Sequence, residues 1–162
     1  MSERSFQTGV IIVDHGSRRT ASNEMLQTAV ERFANDSEYS IVEPAHMELA
    51  SPDIADAFAR CVARGADRVV VFPYFLSPGR HWTEDIPRLT ADAAASFPHI
   101  EWLVTAPFGL HPGMSAIISD RIRQCVAAAE SDAESATDCD VCPATDSCEF
   151  ATGGKASDDS QN

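Results

Sequence analysis

The sequence predicts an α/β fold: one domain built on a four-stranded parallel sheet flanked by helices, followed by a flexible acidic tail. Three observations predict it. Short runs of branched apolar residues, residues 9–14 (GVIIVD) and 68–74 (RVVVFPY) foremost, alternate with longer stretches whose apolar residues recur at helical spacing. Strand and helix in strict alternation imply parallel pairing through right-handed crossovers. The composition then changes after residue 130: residues 1–130 hold 17 acids and 11 bases, whereas residues 131–162 hold 8 acids and one lysine.

The elements follow in order. Residues 9–14 form an unbroken apolar run stopped by His15-Gly16-Ser17, as expected of a central strand buried on both faces. Residues 22–36 place Met25, Leu26, Ala29, Val30 and Phe33 on one helical face, with Ser22 or Asn23 as N-cap. Residues 40–47 make a second strand. Ser51-Pro52-Asp53 opens a helix with proline in its first turn; Ile54, Ala57, Phe58, Cys61 and Val62 share a face, and Gly65 stops it. Residues 68–74 form the third strand, and the loop 75–81 (FLSPGRH) leads into a helix over 83–97. A fourth strand at 100–105, the loop 106–112 and an amphipathic helix over 114–129 carrying Ile117, Ile118, Ile122 and Val126 complete the domain.

A chain of 162 residues suits one core, so the expected organisation is a domain over residues 1–130 and a tail over 131–162. The tail is too polar for burial to offset the entropy of ordering it. A formal charge of −13 repels phosphate backbones and anionic lipid, which argues against nucleic-acid and membrane surfaces as partners. No window approaches the roughly 20 apolar residues of a membrane span, and the early charge of MSERSFQTGV does not match a secretory signal; the expected location is the cytoplasm. Of five cysteines, Cys61 and Cys125 fall within helical patterns as small buried hydrophobes. The other three, Cys139, Cys142 and Cys148, cluster in the tail with a C-x2-C spacing compatible with zinc or an iron–sulfur cluster, although one short of four ligands.

In such sheets ligands collect at the carboxyl ends of the strands. Three metal-ligand types stand there: His15 after the first strand, Glu48 after the second and His81 after the third. Two imidazoles and a carboxylate suit a divalent first-row metal, and a site that must release its metal keeps open positions. Each residue also has a plainer role, a loop histidine or a solvated glutamate, and joint placement at one edge is what raises all three. No GxxxxGK[ST] loop is present, so nucleotide-driven chemistry is not indicated. A hydrolase built on Ser17 and His15 lacks the G-x-S-x-G elbow and an evident third member.

The segments VDHGSR (13–18), MELASP (47–52), VVVFPYFLSPGRHWTEDIP (69–87) and GLHPGM (109–114) occur in an order and spacing that resembles the small CbiX/SirB-type sirohydrochlorin chelatases, which are class II chelatases. The resemblance spans roughly residues 9–126. It implies a flavodoxin-like, chelatase-like domain and insertion of Co²⁺, Fe²⁺ or Ni²⁺ into a sirohydrochlorin-type tetrapyrrole of cobalamin or siroheme synthesis. Carried over by position, His15, Glu48 and His81 hold the metal and do the chemistry, and His111 matches a further family position. Ser17, Arg18 and Arg80 lie near the expected mouth as donors for the macrocycle's carboxylates. The resemblance further implies a homodimer, since relatives come as long chains with two similar halves or short chains with one, and an iron–sulfur cluster on the tail cysteines by analogy. The competing expectation is a metal-binding or metallochaperone module that uses the same histidines without turnover.

Overall fold

The computed structural model describes residues 6–130, with side chains through residue 127. The chain divides into two compact units, residues 1–110 and 111–162. The first contains a four-stranded sheet of β1 (Thr8–Asp14), β2 (Ile41–His46), β3 (Arg68–Pro73) and β4 (Glu101–Val104), ordered β2-β1-β3-β4, with every pairing parallel. Its helices are α1 (Thr20–Asp36), α2 (Ile54–Ala63) and α3 (Ile86–Ala94), the last preceded by one π-helical turn, His81–Asp85. In the second unit the described structure is α4 (Gly113–Glu130).

The continuous apolar run of β1 is explained by burial on both sides. Ile11 and Val13 belong to a core shared with Phe58, Cys61, Val69, Val71 and Ile86, where α2 and α3 cover one face. Val10 and Ile12 turn to the other face and meet Leu26 and Val30 of α1. Strand alternation thus feeds two layers from one strand, as period-two geometry requires. Gly9 has no room for a side chain, since a Cβ there would lie 2.9 Å from the Cβ of Cys61. Burial pushes the Cys61 thiol up from 9.0 to about 12, with the Glu43 carboxylate adding to the rise. It is a small hydrophobe, in keeping with its place on the apolar face of a helix.

Several local expectations are corrected. Helix α1 begins at Thr20, two residues early, and no side chain caps it; Asn23 is engaged elsewhere. Its buried stripe is Leu26 and Val30, while Met25 is 59% exposed and Phe33 stacks on Tyr39. Pro52 lies outside α2, because Asp53 is the N-cap: its carboxylate accepts from the Asp56 amide, and Asp56 reaches back to the Asp53 amide in a capping box. Cys125 is exposed, as are Ile117, Ile118, Ile122 and Val126 of α4. Periodicity identifies that helix but does not say what, if anything, covers its apolar face.

The order β2-β1-β3-β4 sends the chain from the central strand to one side and then to the other. The switch point lies between β1 and β3, where parallel α/β sheets gather ligands outside their carboxyl ends. His15 follows β1 directly, and His81 follows β3 after a loop.

Candidate functional site

Hydrogen bonds that continue past the regular sheet hold the site's backbone. The Met47 amide donates to the Asp14 carbonyl at 2.8 Å and the Glu48 amide to the His15 carbonyl at 3.2 Å, so the loop bearing Glu48 lies against the turn bearing His15. Gly16 makes this approach possible. Its φ is +83°, and a Cβ there would stand 1.9 Å from the Glu48 carbonyl oxygen. The Asp14 carboxylate accepts the Gly16 amide at 2.9 Å from within the same turn. On the far side of the turn, the Ser17 amide donates to Asn23 Oδ1 at 3.0 Å and Asn23 Nδ2 donates to the Ser17 carbonyl at 2.9 Å.

His81 is carried by the π-helical turn. The Thr83 amide and hydroxyl both donate to the Gly79 carbonyl, and Trp82 anchors the turn through its indole N–H, which donates to the Thr105 carbonyl at 2.8 Å. Asp85 Oδ2 lies 2.8 Å from His81 Nδ1, and a carboxylate behind an imidazole fixes the ring's orientation and its tautomer. Sequence reasoning misses Asp85. Its spacing of four from His81 on a helical segment is the signal that would find it.

The structure brings His15, Glu48 and His81 together. His15 Nε2 is 2.9 Å from Glu48 Oε1, and the rings of His15 and His81 meet edge to face with centroids 5.2 Å apart. The His15 and Glu48 side chains are 42% and 53% exposed. An imidazole–carboxylate contact so exposed adds little stability, about 0–1 kcal/mol. These contacts engage His15 Nε2 and His81 Nδ1, which leaves His15 Nδ1 and His81 Nε2 as the lone pairs available to a metal. Among the described residues no three His, Cys, Asp or Glu side chains already form a metal cage.

The other candidates are placed as follows. Ser17 Oγ accepts the Arg19 amide at 3.0 Å, and Arg18 is exposed in the same turn. Arg80 is exposed and pairs with Glu84 at 3.1 Å. His111 belongs to the second unit, where its Nδ1 accepts the Gly113 amide at 3.1 Å. Cys139, Cys142 and Cys148 lie outside the described residues. A groove of about 420 Å³ between α2 and α3 is lined by Met47, Ile54, Leu89, Asp92 and Phe97 among others. It contains none of the candidate residues, and its lining offers no imidazole or thiolate ligand.

Comparison with known proteins bears on the fold and the family. The chain is 55% identical over 142 residues to the chloroplastic sirohydrochlorin ferrochelatase of Arabidopsis thaliana; the match covers 88% of this chain and spans 62% of that relative. Its fold resembles a CbiX protein from Marinobacter aquaeolei VT8, with TM-score 0.64 and 25% identity, covering 74% of this chain and 98% of the other. It also resembles the sirohydrochlorin chelatase SirB of Bacillus subtilis subspecies spizizenii, solved in complex with cobalt, with TM-score 0.65 and 27% identity, covering 72% of this chain and 50% of that one. The CbiX family model matches residues 9–125, a stretch that includes β1, the His15 turn, the Glu48 loop, the His81 turn and most of α4, and the chain belongs to the CbiX family.

Proposed function

We propose that this chain is a sirohydrochlorin chelatase that inserts Fe²⁺ or Co²⁺, with Ni²⁺ a further substrate metal, into a sirohydrochlorin-type tetrapyrrole without ATP. The observation that carries the reading is the meeting of His15 with Glu48 at 2.9 Å and with His81 at 5.2 Å between ring centroids, at the sheet's switch point. Two imidazoles and one carboxylate suit Fe²⁺ and Co²⁺, and an exposed, unfinished cage suits an ion that must be handed on. The names of the relatives, a ferrochelatase and a cobalt-bound chelatase, point the same way.

In this reading His15 and His81 receive the metal, and Glu48 neutralises its charge. Insertion forms metal–nitrogen bonds to the ring, breaks the metal–imidazole bonds and releases two pyrrole protons. Glu48 and the freed imidazoles accept those protons, and imidazole suits the role because the same nitrogen lone pair can hold a metal or a proton in turn. Ser17, Arg18 and Arg80 supply donors for the macrocycle's carboxylates; His111 is a substrate-binding candidate of the second unit taken by itself. The functional domain runs from residue 1 to 130, with 131–162 as its tail.

The active form is a homodimer. Trp102 and Leu103 of the edge strand β4 are 38% and 43% exposed, and Ile117, Ile118, Ile122 and Val126 of α4 are each about half exposed, apolar surfaces that a second copy would cover. The charge of −13 disfavours nucleic acid and anionic membranes as partners. No helix among the described residues is long and apolar enough to cross a membrane. Free thiols and a ferrous substrate both fit the reducing cytoplasm. The tail thiols as cluster ligands are a separate expectation, decided by the visible absorbance of protein purified without air.

The test follows the absorbance of sirohydrochlorin with Fe²⁺ or Co²⁺ under anaerobic conditions, with and without protein. Accelerated metallation that disappears in His15→Ala and His81→Ala is the expected result. Stoichiometric metal binding with no acceleration for iron, cobalt or nickel would replace the chelatase with a metal-binding module.

A further inference from the structure

We propose that His46 is a positioning residue for the metal site, acting through Asp14 on the Gly16 turn and through its own backbone on the Glu48 loop; this rests on the chelatase reading above. His46 is 3% exposed, one of two buried polar residues among the described residues, and the chemistry just described does not use it. The other, Thr90, is satisfied locally by the Ile86 carbonyl one helical turn back. His46 instead reaches 32 residues along the chain to Asp14, with Nδ1 2.6 Å from Oδ1. That oxygen also accepts the Gly16 amide at 2.9 Å, so the oxygen is the acceptor and Nδ1 carries the proton.

A histidine is a poor choice for merely filling a buried position at the end of a strand. A phenylalanine would occupy that space without a polar group to satisfy, so the imidazole's contribution lies in its hydrogen bond. The bond's position says what it accomplishes. Asp14 immediately precedes His15, and its carboxylate braces the turn at Gly16, whose Cβ position faces the Glu48 carbonyl oxygen at 1.9 Å and the His46 Cβ at 3.1 Å. The His46 amide donates to the Pro52 carbonyl at 2.8 Å, which closes the loop 47–52 that carries Glu48. One residue therefore braces both loops, its side chain the His15 turn and its backbone the Glu48 loop. Because the His15 and Glu48 side chains are half exposed, packing does not orient them. Their relative placement depends on the backbone, which is where His46 acts.

The experiment compares His46→Asn, His46→Gln and His46→Phe. Asparagine keeps an N–H at the place of Nδ1, glutamine moves it to the place of Nε2, and phenylalanine removes it. Co²⁺ affinity is measured by titration and by the visible spectrum of the bound ion without tetrapyrrole, alongside melting temperature and the kcat and KM for Co²⁺ in metallation. Loss of a hydrogen bond made to a metal ligand costs about 10- to 100-fold in metal affinity; His46 acts one residue further back, through Asp14, so Gln and Phe should fall by about tenfold, the low end of that range, and Asn by less than about threefold. The spectrum of bound Co²⁺ should change in Gln and Phe and be restored in Asn. A merely structural histidine would lower the melting temperature and leave the folded protein's Co²⁺ affinity and spectrum alone, which would overturn the proposal. Asn as impaired as Gln would overturn it too, and that pair decides the matter if Phe does not fold. Binding without tetrapyrrole separates the two readings: a wild type that metallates nothing defeats the chelatase, whereas the affinity series still decides the role of His46.

Discussion

Three glycines separate backbone strain from steric collision, and the separation tests whether the Gly16 turn is as tightly fitted as it looks. Gly79 has ordinary φ and no atom within 4 Å of where a methyl group would stand; Gly65 has φ +96° and the same open space; Gly16 has φ +83° and a Cβ position 1.9 Å from the Glu48 carbonyl oxygen. Alanine at Gly79 should be neutral or stabilising by up to about 1 kcal/mol, through the unfolded state alone. At Gly65 the left-handed conformation costs about 1–2 kcal/mol, partly offset by that same gain. At Gly16 the strain recurs, and the Glu48 carbonyl must move by more than about 1 Å to reach the usual C···O contact of roughly 3.3–3.6 Å. That movement breaks the bond from the Glu48 amide to the His15 carbonyl, worth about 1 kcal/mol, so the total is about 2–3 kcal/mol. At about 4 °C per kcal/mol for a domain of this size, the melting temperature should drop by ~10 °C in Gly16→Ala, a few degrees in Gly65→Ala and not at all in Gly79→Ala. Thermal unfolding by circular dichroism reads the series. Metallation assayed well below all three transitions should fall only in Gly16→Ala, where the Glu48 backbone is displaced. A Gly16→Ala variant no less stable than Gly65→Ala would refute the collision.

Other outcomes follow from the same contacts. Asp85→Asn removes the carboxylate behind His81 and should weaken Co²⁺ binding about tenfold in a titration, with little change in melting temperature because the pair is on the surface. Asn23→Ala breaks the two-point clamp on Ser17 and should cost about 1–2 kcal/mol in denaturant unfolding, more than Gln27→Ala, whose amide meets only the exposed Glu31. The raised Cys61 thiol should resist iodoacetamide in the native protein while Cys125 reacts, as peptide mapping by mass spectrometry would show. The sign of its pH effect is fixed: above 9.0 the unfolded thiol loses its proton and the folded one keeps it until about 12, so stability should fall across that interval and fall less in Cys61→Ala.

The sheet and the meeting of His15, Glu48 and His81 are legible in the sequence for one reason. Parallel strands all end on the same edge, so ligand-type residues that follow successive strands meet there whatever the details of the helices. What escapes are features set by partners distant in sequence or by local hydrogen-bond competition. Pattern alone starts α3 at Thr83, but the Ile86 amide bonds the His81 carbonyl five residues back and the chain makes a π-helical turn before α3 begins at Ile86. Asn23 resembles an N-cap because asparagine favours that position; its amide instead serves the Ser17 backbone. His46 is visible as a residue at a strand end, but its partner lies 32 residues away across the sheet, and only register reveals that Asp14 stands opposite it.

That register also explains why the site is assembled from the backbone outward. Pairing Asp14 with His46 ends the β1–β2 ladder at the two residues whose side chains then bond to each other. The next amides along the chain after β2, Met47 and Glu48, go on donating to Asp14 and His15, so the ladder's hydrogen bonds outlast its strands by two residues. The fold therefore concentrates rigidity in the main chain of the His15 and Glu48 loops while their side chains stay half exposed. For permanent metal storage that would be a poor arrangement, since buried and fully ligated cages hold an ion best. For the transfer proposed above it is the better one: a fixed main chain would return the ligands to the same place after each turnover, and exposed side chains would let the ion leave for the ring.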